Sequence, residues 1–281
     1  MRMRGIDCRH LGREHVICCW QVGDVLIDPG PGSCLETLLG ALDGREPKAL
    51  LLTHIHLDHA GASGSLARRF PDLQVFVHER GARHMVSPER LIASARRLYG
   101  DDMDRLWGAF EPVPADRLQV LQGGERLVFG DRRFEVAYTP GHASHHVSYL
   151  CDGTAFTGDV GGARVWPDAP AIPPTPPPDI DLEAWHSSLE LIAGWRPEQI
   201  AMTHFGASED VSGQLEQVSE RLDRWAALAR DLDEAEWIQT IRQELRERTS
   251  TEAFDAFMQA VPSNQAYAGL RRYWDKRAER A

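Results

Sequence analysis

The sequence is short of cysteine, and what it has is poorly arranged for a framework. Cys8, Cys18, Cys19, Cys34 and Cys151 are odd in number and include no C-x-x-C pair. That excludes both a disulfide-stapled fold and a thiolate zinc site. The adjacent Cys18 and Cys19 read as small buried hydrophobes on a strand. Long apolar runs are also missing: none approaches the ~18 residues of a membrane span, and no apolar segment follows Met1-Arg2-Met3-Arg4-Gly5 as a signal peptide would require. The expectation is therefore a soluble, cytoplasmic protein. Positive charge is in deficit, with 31 Lys and Arg against 42 Asp and Glu and a net charge of −11. This argues against nucleic acid or an anionic membrane as partner. Core material is not lacking. At 42% hydrophobic residues with eight Trp, disorder is excluded, and 281 residues suffice for one large catalytic domain with a helical appendage.

The first half alternates strand-like and helical segments. Val16–Trp20 and Val25–Ile27 read as strands and Asp28–Gly32 as a turn, after which Ser33 and Glu36 form a capping-box pattern opening a helix with Leu35, Leu38, Leu39 and Leu42 on its apolar face. Strands over 49–52 and 73–78 flank a helix over 61–70, and this β-α-β-α-β order predicts an α/β layered fold. Residues 88–110 read as a helical cover. Strand-like runs follow at 117–121, 126–129, 133–138, 146–150 and 154–157. The stretch 165–180 holds seven of the 17 prolines, and its length and composition favour an ordered, rigid loop near the functional site over a solvated linker. From about 181 the chain is mostly helical, with Leu215, Val218, Leu222, Trp225 and Leu228 at helical spacing and Thr249 with Glu252 as a second capping-box pattern.

The strongest chemical signal is Thr53-His54-Ile55-His56-Leu57-Asp58-His59-Ala60-Gly61, directly after the apolar Ala49-Leu50-Leu51-Leu52. Three imidazoles and a carboxylate at a strand end suit a borderline divalent cation. A dinuclear site needs more donors, and three further strand ends offer them: His142 in Thr139-Pro140-Gly141-His142, Asp159 in Thr157-Gly158-Asp159, and His204 in Met202-Thr203-His204. Each has a glycine within two residues, which permits close backbone approach. His145 or His146 could support His142 from behind. Asp24 and Asp28 read as turn residues with no catalytic role, Arg164 as a solvated loop arginine, and His10, His15, His78, His84 and His186 as ordinary histidines.

These four ordered motifs resemble the metallo-β-lactamase superfamily, and more closely its glyoxalase-II-like hydrolase branch, over roughly residues 15–206. The resemblance implies a four-layer αβ/βα sandwich, an α/β (α+β) architecture, with a catalytic domain over 1–207 and a helical C-terminal extension over 208–281. It implies one metal on His54, His56 and His142 and a second on Asp58, His59 and His204, bridged by Asp159. The cofactors are then two divalent ions, zinc first, with iron or manganese open because imidazole and carboxylate donors suit all three. A hydroxide shared by the metals would attack an ester, thioester or lactone carbonyl, with Asp58 orienting the nucleophile and handling its proton. The expected partner is a small-molecule substrate, with no nucleic acid and no membrane and a homo-oligomer left open. Two other readings are a mononuclear iron persulfide dioxygenase, whose relatives share the His-x-His-x-Asp-His run, and a non-enzymatic metal-binding sensor or scaffold. A flavodiiron protein is disfavoured because there is no room for a flavodoxin domain, and a nuclease by the acidic balance.

Overall fold

The computed structural model describes residues 3–279. It contains two mixed sheets of six strands each. The first runs in sequence order: β1 (Arg4–Asp7), β2 (Cys18–Val22), β3 (Val25–Ile27), β4 (Ala49–Leu51), β5 (Gln74–His78) and β6 (Leu118–Leu121). The second comprises β7 (Arg126–Phe129), β8 (Arg132–Tyr138), β9 (Val147–Cys151), β10 (Thr154–Phe156), β11 (Gln199–Ala201) and β12 (Ala207–Ser208), in the order β12-β11-β10-β9-β8-β7. Between the strands lie α1 (Leu35–Leu42), α2 (Leu57–Ala60), α3 (Ser63–Arg69), α4 (Glu79–Val86), α5 (Glu89–Tyr99), α6 (Met103–Trp107) and α7 (Leu182–Gly194). The chain closes with α8 (Val211–Asp231), α9 (Glu234–Arg248), α10 (Thr251–Ala260) and α11 (Ser263–Ala278). Two mixed sheets with helices and a helical C-terminal region agree with the α/β architecture expected from the sequence. No helix among the described residues is long and apolar enough to cross a membrane.

Backbone contacts divide the chain into two compact units. One holds the residues up to Tyr138 together with Val147–Asp152; the other holds Thr139–His146 and everything from Gly153. In the first unit β3, β4 and β5 are parallel, with Ile27 opposite Leu51 and Leu51 opposite Phe76. β3 and β4 are short and wholly apolar, and Val25, Leu26, Leu50 and Leu51 are almost wholly buried, which is how parallel strands covered on both faces read in sequence. Parallel pairing brings the carboxyl ends of these strands to one edge, so Asp28 and Thr53 emerge side by side. In the second unit β10 and β11 are also parallel, Phe156 opposite Ala201. The segments leading to Asp159 and His204 therefore leave the sheet at a common edge.

The C-terminal helices bury the stripe read from the sequence. Leu215, Val218, Leu222 and Trp225 of α8 are buried, the Trp237 indole donates to Trp225 O at 3.0 Å, and that of Trp274 to Ala226 O at 2.7 Å. All five cysteines are buried free thiols. Both capping-box expectations fail. The Ser33 hydroxyl donates to Leu106 O at 2.7 Å instead of capping α1, and the Thr249 hydroxyl donates back to Leu245 O at 2.7 Å. Neither residue sits at the N-cap position: Ser33 lies inside a 3-10 turn, Gly32–Cys34, that leads into α1, and Thr249 closes α9. Ser250, one residue later, caps α10 by accepting from Ala253 N–H.

Candidate metal centre

In the first unit the histidine run is set by the edge of the parallel sheet. Leu52 N–H still donates to Phe76 O at 3.0 Å, continuing the ladder one residue past β4. The chain then turns, with His56 extended at the N-terminus of the single-turn helix α2, which carries Asp58 and His59. His54 and His59 are fully buried, whereas Asp58 keeps a fifth of its side chain exposed. The His54 ring lies 4.5 Å from His56 and 4.0 Å from His59, centroid to centroid.

The Nδ1 atoms explain how the rings are held. His59 Nδ1 bonds Asp28 Oδ2 at 2.8 Å, and His54 Nδ1 lies 3.1 Å from Thr53 Oγ1. Asp28 also accepts from Thr53 N–H at 2.8 Å and from the Thr53 hydroxyl at 2.7 Å. An Nδ1 proton given to a carboxylate leaves Nε2 with its lone pair, the form in which an imidazole ligates a metal. Asp28 is fully buried. In the sequence Asp28 is only a carboxylate after a short apolar run, which reads as a turn residue with no catalytic role. That run becomes informative only once β3 is known to pair with β4.

In the second unit His142, Asp159 and His204 are likewise buried. Asp159 faces both histidines, with Oδ2 3.3 Å from His142 Nε2 and Oδ1 3.5 Å from His204 Nε2. These separations exceed a good charge-assisted hydrogen bond. They match the edge of about 3.3 Å between two ligands each ~2.0–2.1 Å from a shared tetrahedral ion. His142 donates from Nδ1 to Pro174 O at 2.8 Å, and Trp185 packs edge-on against its ring at 5.7 Å. Gly141, with φ of +136°, must be glycine, since a β-carbon would overlap the Trp185 backbone. Trp185 is itself pinned by its indole N–H on Val160 O at 2.9 Å.

All seven residues singled out from the sequence belong to groups of histidine and carboxylate donors of a kind that holds a metal ion. With three Nδ1 atoms already engaged and Nε2 left to coordinate, the donor chemistry fits divalent cations. Of the two neighbouring histidines, His146 is fully buried; its Nδ1 meets Thr139 Oγ1 at 2.9 Å, and its ring lies 6.2 Å from that of His142.

The Pro-rich loop is ordered, with Ala171, Ile172 and Thr175 fully buried, and it reaches His142 through a backbone carbonyl. Arg164 is not a solvated loop arginine. It is half-buried, its Nε and Nη2 are shielded without an acceptor, and burial lowers its pKa. Its backbone N–H donates to His204 O at 2.6 Å, so the chain folds the residue inward. His10 stacks on Trp107 and meets Leu106 O, and His78 caps α4 by accepting from Arg80 N–H; both are structural.

A four-motif histidine–aspartate set on two mixed sheets defines a class of metal-dependent α/β proteins. The profile of the metallo-beta-lactamase superfamily matches residues 23–204, and the chain belongs to that family. A metallo-beta-lactamase fold-containing protein of Sulfurisphaera tokodaii is 30% identical over 195 residues, covering 68% of this chain and 71% of that relative. An archaeal metallo-beta-lactamase superfamily structure from Sulfolobus tokodaii superposes with a TM-score of 0.72 at 24% identity, covering 96% of this chain and 98% of the other. A hydroxyacylglutathione hydrolase of Xanthomonas euvesicatoria is 34% identical over 137 residues, which is 48% of this chain and only 40% of that enzyme.

Proposed function

We propose that this protein is a dinuclear metal-dependent hydrolase of an ester, thioester or lactone. One ion would be held by His54, His56 and His142 and the other by Asp58, His59 and His204, with Asp159 shared. Zinc is the first expectation for both, with iron or manganese as alternatives. The observation that carries this reading is the set of Nδ1 hydrogen bonds on His54, His59 and His142, which directs three Nε2 lone pairs to ligation. The similarity to a hydroxyacylglutathione hydrolase, a thioesterase by its name, supports acyl transfer to water.

Ions bound there would bring the pKa of a water near neutrality and polarise the substrate carbonyl. The protein supplies the rest. Asp58 is the carboxylate with solvent access, and it can orient the attacking water and accept its proton. Asp28 and Pro174 keep His59 and His142 in one tautomer, so no reorganisation is needed on binding. The cytoplasm is the proposed location and a small molecule the proposed partner.

The test is metal content of protein purified without added metal, followed by a panel of thioesters, lactones and phosphodiesters. Two ions per chain with turnover of a carboxyl ester or thioester is the expected result. Two ions with no turnover of any member overturns it. One iron per chain with persulfide-dependent oxygen uptake would instead establish a dioxygenase.

A further inference from the structure

We propose that the C-terminal helix α11 sets the orientation of His142 through the Pro-rich loop, with Gly269 as the positioning residue that lets helix and loop fit. The proposal rests on the reading of His142 as a metal ligand. It adds a role for the C-terminal region, which the ligand set alone leaves without one.

Gly269 lies buried in the middle of α11. A glycine inside a helix is less favourable than alanine, because it loses more backbone freedom on folding, so its presence calls for a reason. The reason is contact. A β-carbon here would overlap Thr175 O and stand 2.8 and 3.0 Å from the carbonyl carbon and oxygen of Pro176. The same helix grips the loop elsewhere. The hydroxyl of the fully buried Thr175 donates to Ala266 O at 3.1 Å. Arg272 Nε and Lys276 Nζ both donate to Pro178 O, at 3.3 and 2.8 Å.

The residue before Thr175 is Pro174, whose carbonyl accepts the His142 Nδ1 proton. Adjacent peptide units therefore face the two partners: the Pro174 carbonyl the histidine, and the Thr175 carbonyl, one unit later, the helix. Pro173, Pro174, Pro176, Pro177 and Pro178 hold φ near −65°, so the segment has little torsional freedom to absorb a push. A displacement imposed at Thr175 passes to Pro174 O. Moving that acceptor releases the Nδ1 proton, and with it the tautomer that presents Nε2 to the metal.

The experiment uses the full chain and four variants: Gly269→Ala, the exposed pair Arg272→Gln with Lys276→Gln, His142→Ala, and Gly40→Ala, where a β-carbon meets open space. Zinc affinity is read by chelator competition, and the His142 Nδ1–H resonance by proton NMR on the metal-free protein. Gly269→Ala is expected to weaken one of two zinc ions 10- to 100-fold, the range for loss of a group that orients a ligand, and to shift or abolish the Nδ1–H resonance. The glutamine pair should act in the same direction by at least threefold, and Gly40→Ala should change neither readout. A folded Gly269→Ala protein with both affinities and the resonance unchanged overturns the proposal. If Gly269→Ala does not fold, unchanged affinities in the glutamine pair overturn it. His142→Ala separates the two levels: retention of both ions there refutes the ligand assignment itself, whereas loss of one ion in His142→Ala but none in Gly269→Ala refutes only the coupling.

Discussion

Replacing Asp28 with Asn tests the idea that the histidines are pre-set by groups behind them. The side chain is fully buried and accepts three hydrogen bonds, two from Thr53 and one from His59 Nδ1. Asn is nearly isosteric and can keep Oδ1 on Thr53 N–H. Its amide nitrogen then replaces Oδ2. The Thr53 hydroxyl adapts by rotating to accept, but His59 Nδ1 can no longer donate. The imidazole proton moves to Nε2, and the lone pair needed for a metal is lost. The fold should weaken by about 1–3 kcal/mol, the cost of one charge-assisted hydrogen bond. Metal affinity at the ion served by His59 should fall about 10- to 100-fold, or ~1.4–2.7 kcal/mol. Denaturant unfolding of the metal-free protein measures the first term and chelator competition the second. Nitrogen-15 shifts of the His59 ring report the tautomer. An Asp28→Asn protein that binds metal as tightly as the parent, with the proton still on Nδ1, would refute the reasoning.

Three further outcomes are expected. Asp58→Asn should cut turnover by at least about 10²-fold, as loss of a general base does, with little change in the melting temperature of the metal-free protein because Asn keeps the shape of the side chain; steady-state kinetics and a thermal melt of the metal-free variant check this together. The thiols should be inert in the folded protein, since burial pushes Cys34 and Cys151 up to about 11 and also raises Cys8 and Cys19 well above the ordinary thiol range, so that thiolate is scarce at pH 8. Ellman's reagent should count none in buffer and five in denaturant, and rapid native labelling would contradict the burial. Arg164→Met should raise the melting temperature by roughly 2–4 °C, about 1 kcal/mol in a chain of this size, because it removes a half-buried guanidinium whose Nε and Nη2 lack acceptors. A lower melting temperature would mean that the guanidinium has a partner in solution.

Much of this was legible in the residues. Short apolar runs marked β3 and β4, just ahead of Asp28 and the histidine run, because a parallel strand buried on both faces leaves an unbroken hydrophobic signature. The helical spacing from Leu215 to Trp225 marked α8. Helix starts were less legible. Ser33 and Thr249 each had a capping pattern, but the helices start one residue later, with Cys34 and Ser250 at the N-cap positions.

The sequence by itself determined which donors this protein has: four in one six-residue run and three more at later strand ends. Ligand identity is a property of side chains, and side chains are what a sequence spells. Only the tertiary structure decided which nitrogen of His54, His59 and His142 is left to bind. The group behind His59 is a carboxylate 31 positions earlier, and the group behind His142 is a main-chain carbonyl 32 positions later. Every residue carries a carbonyl, so no residue code can announce that one; it acquires its role only when the loop is pressed into place by a helix nearly a hundred residues further on.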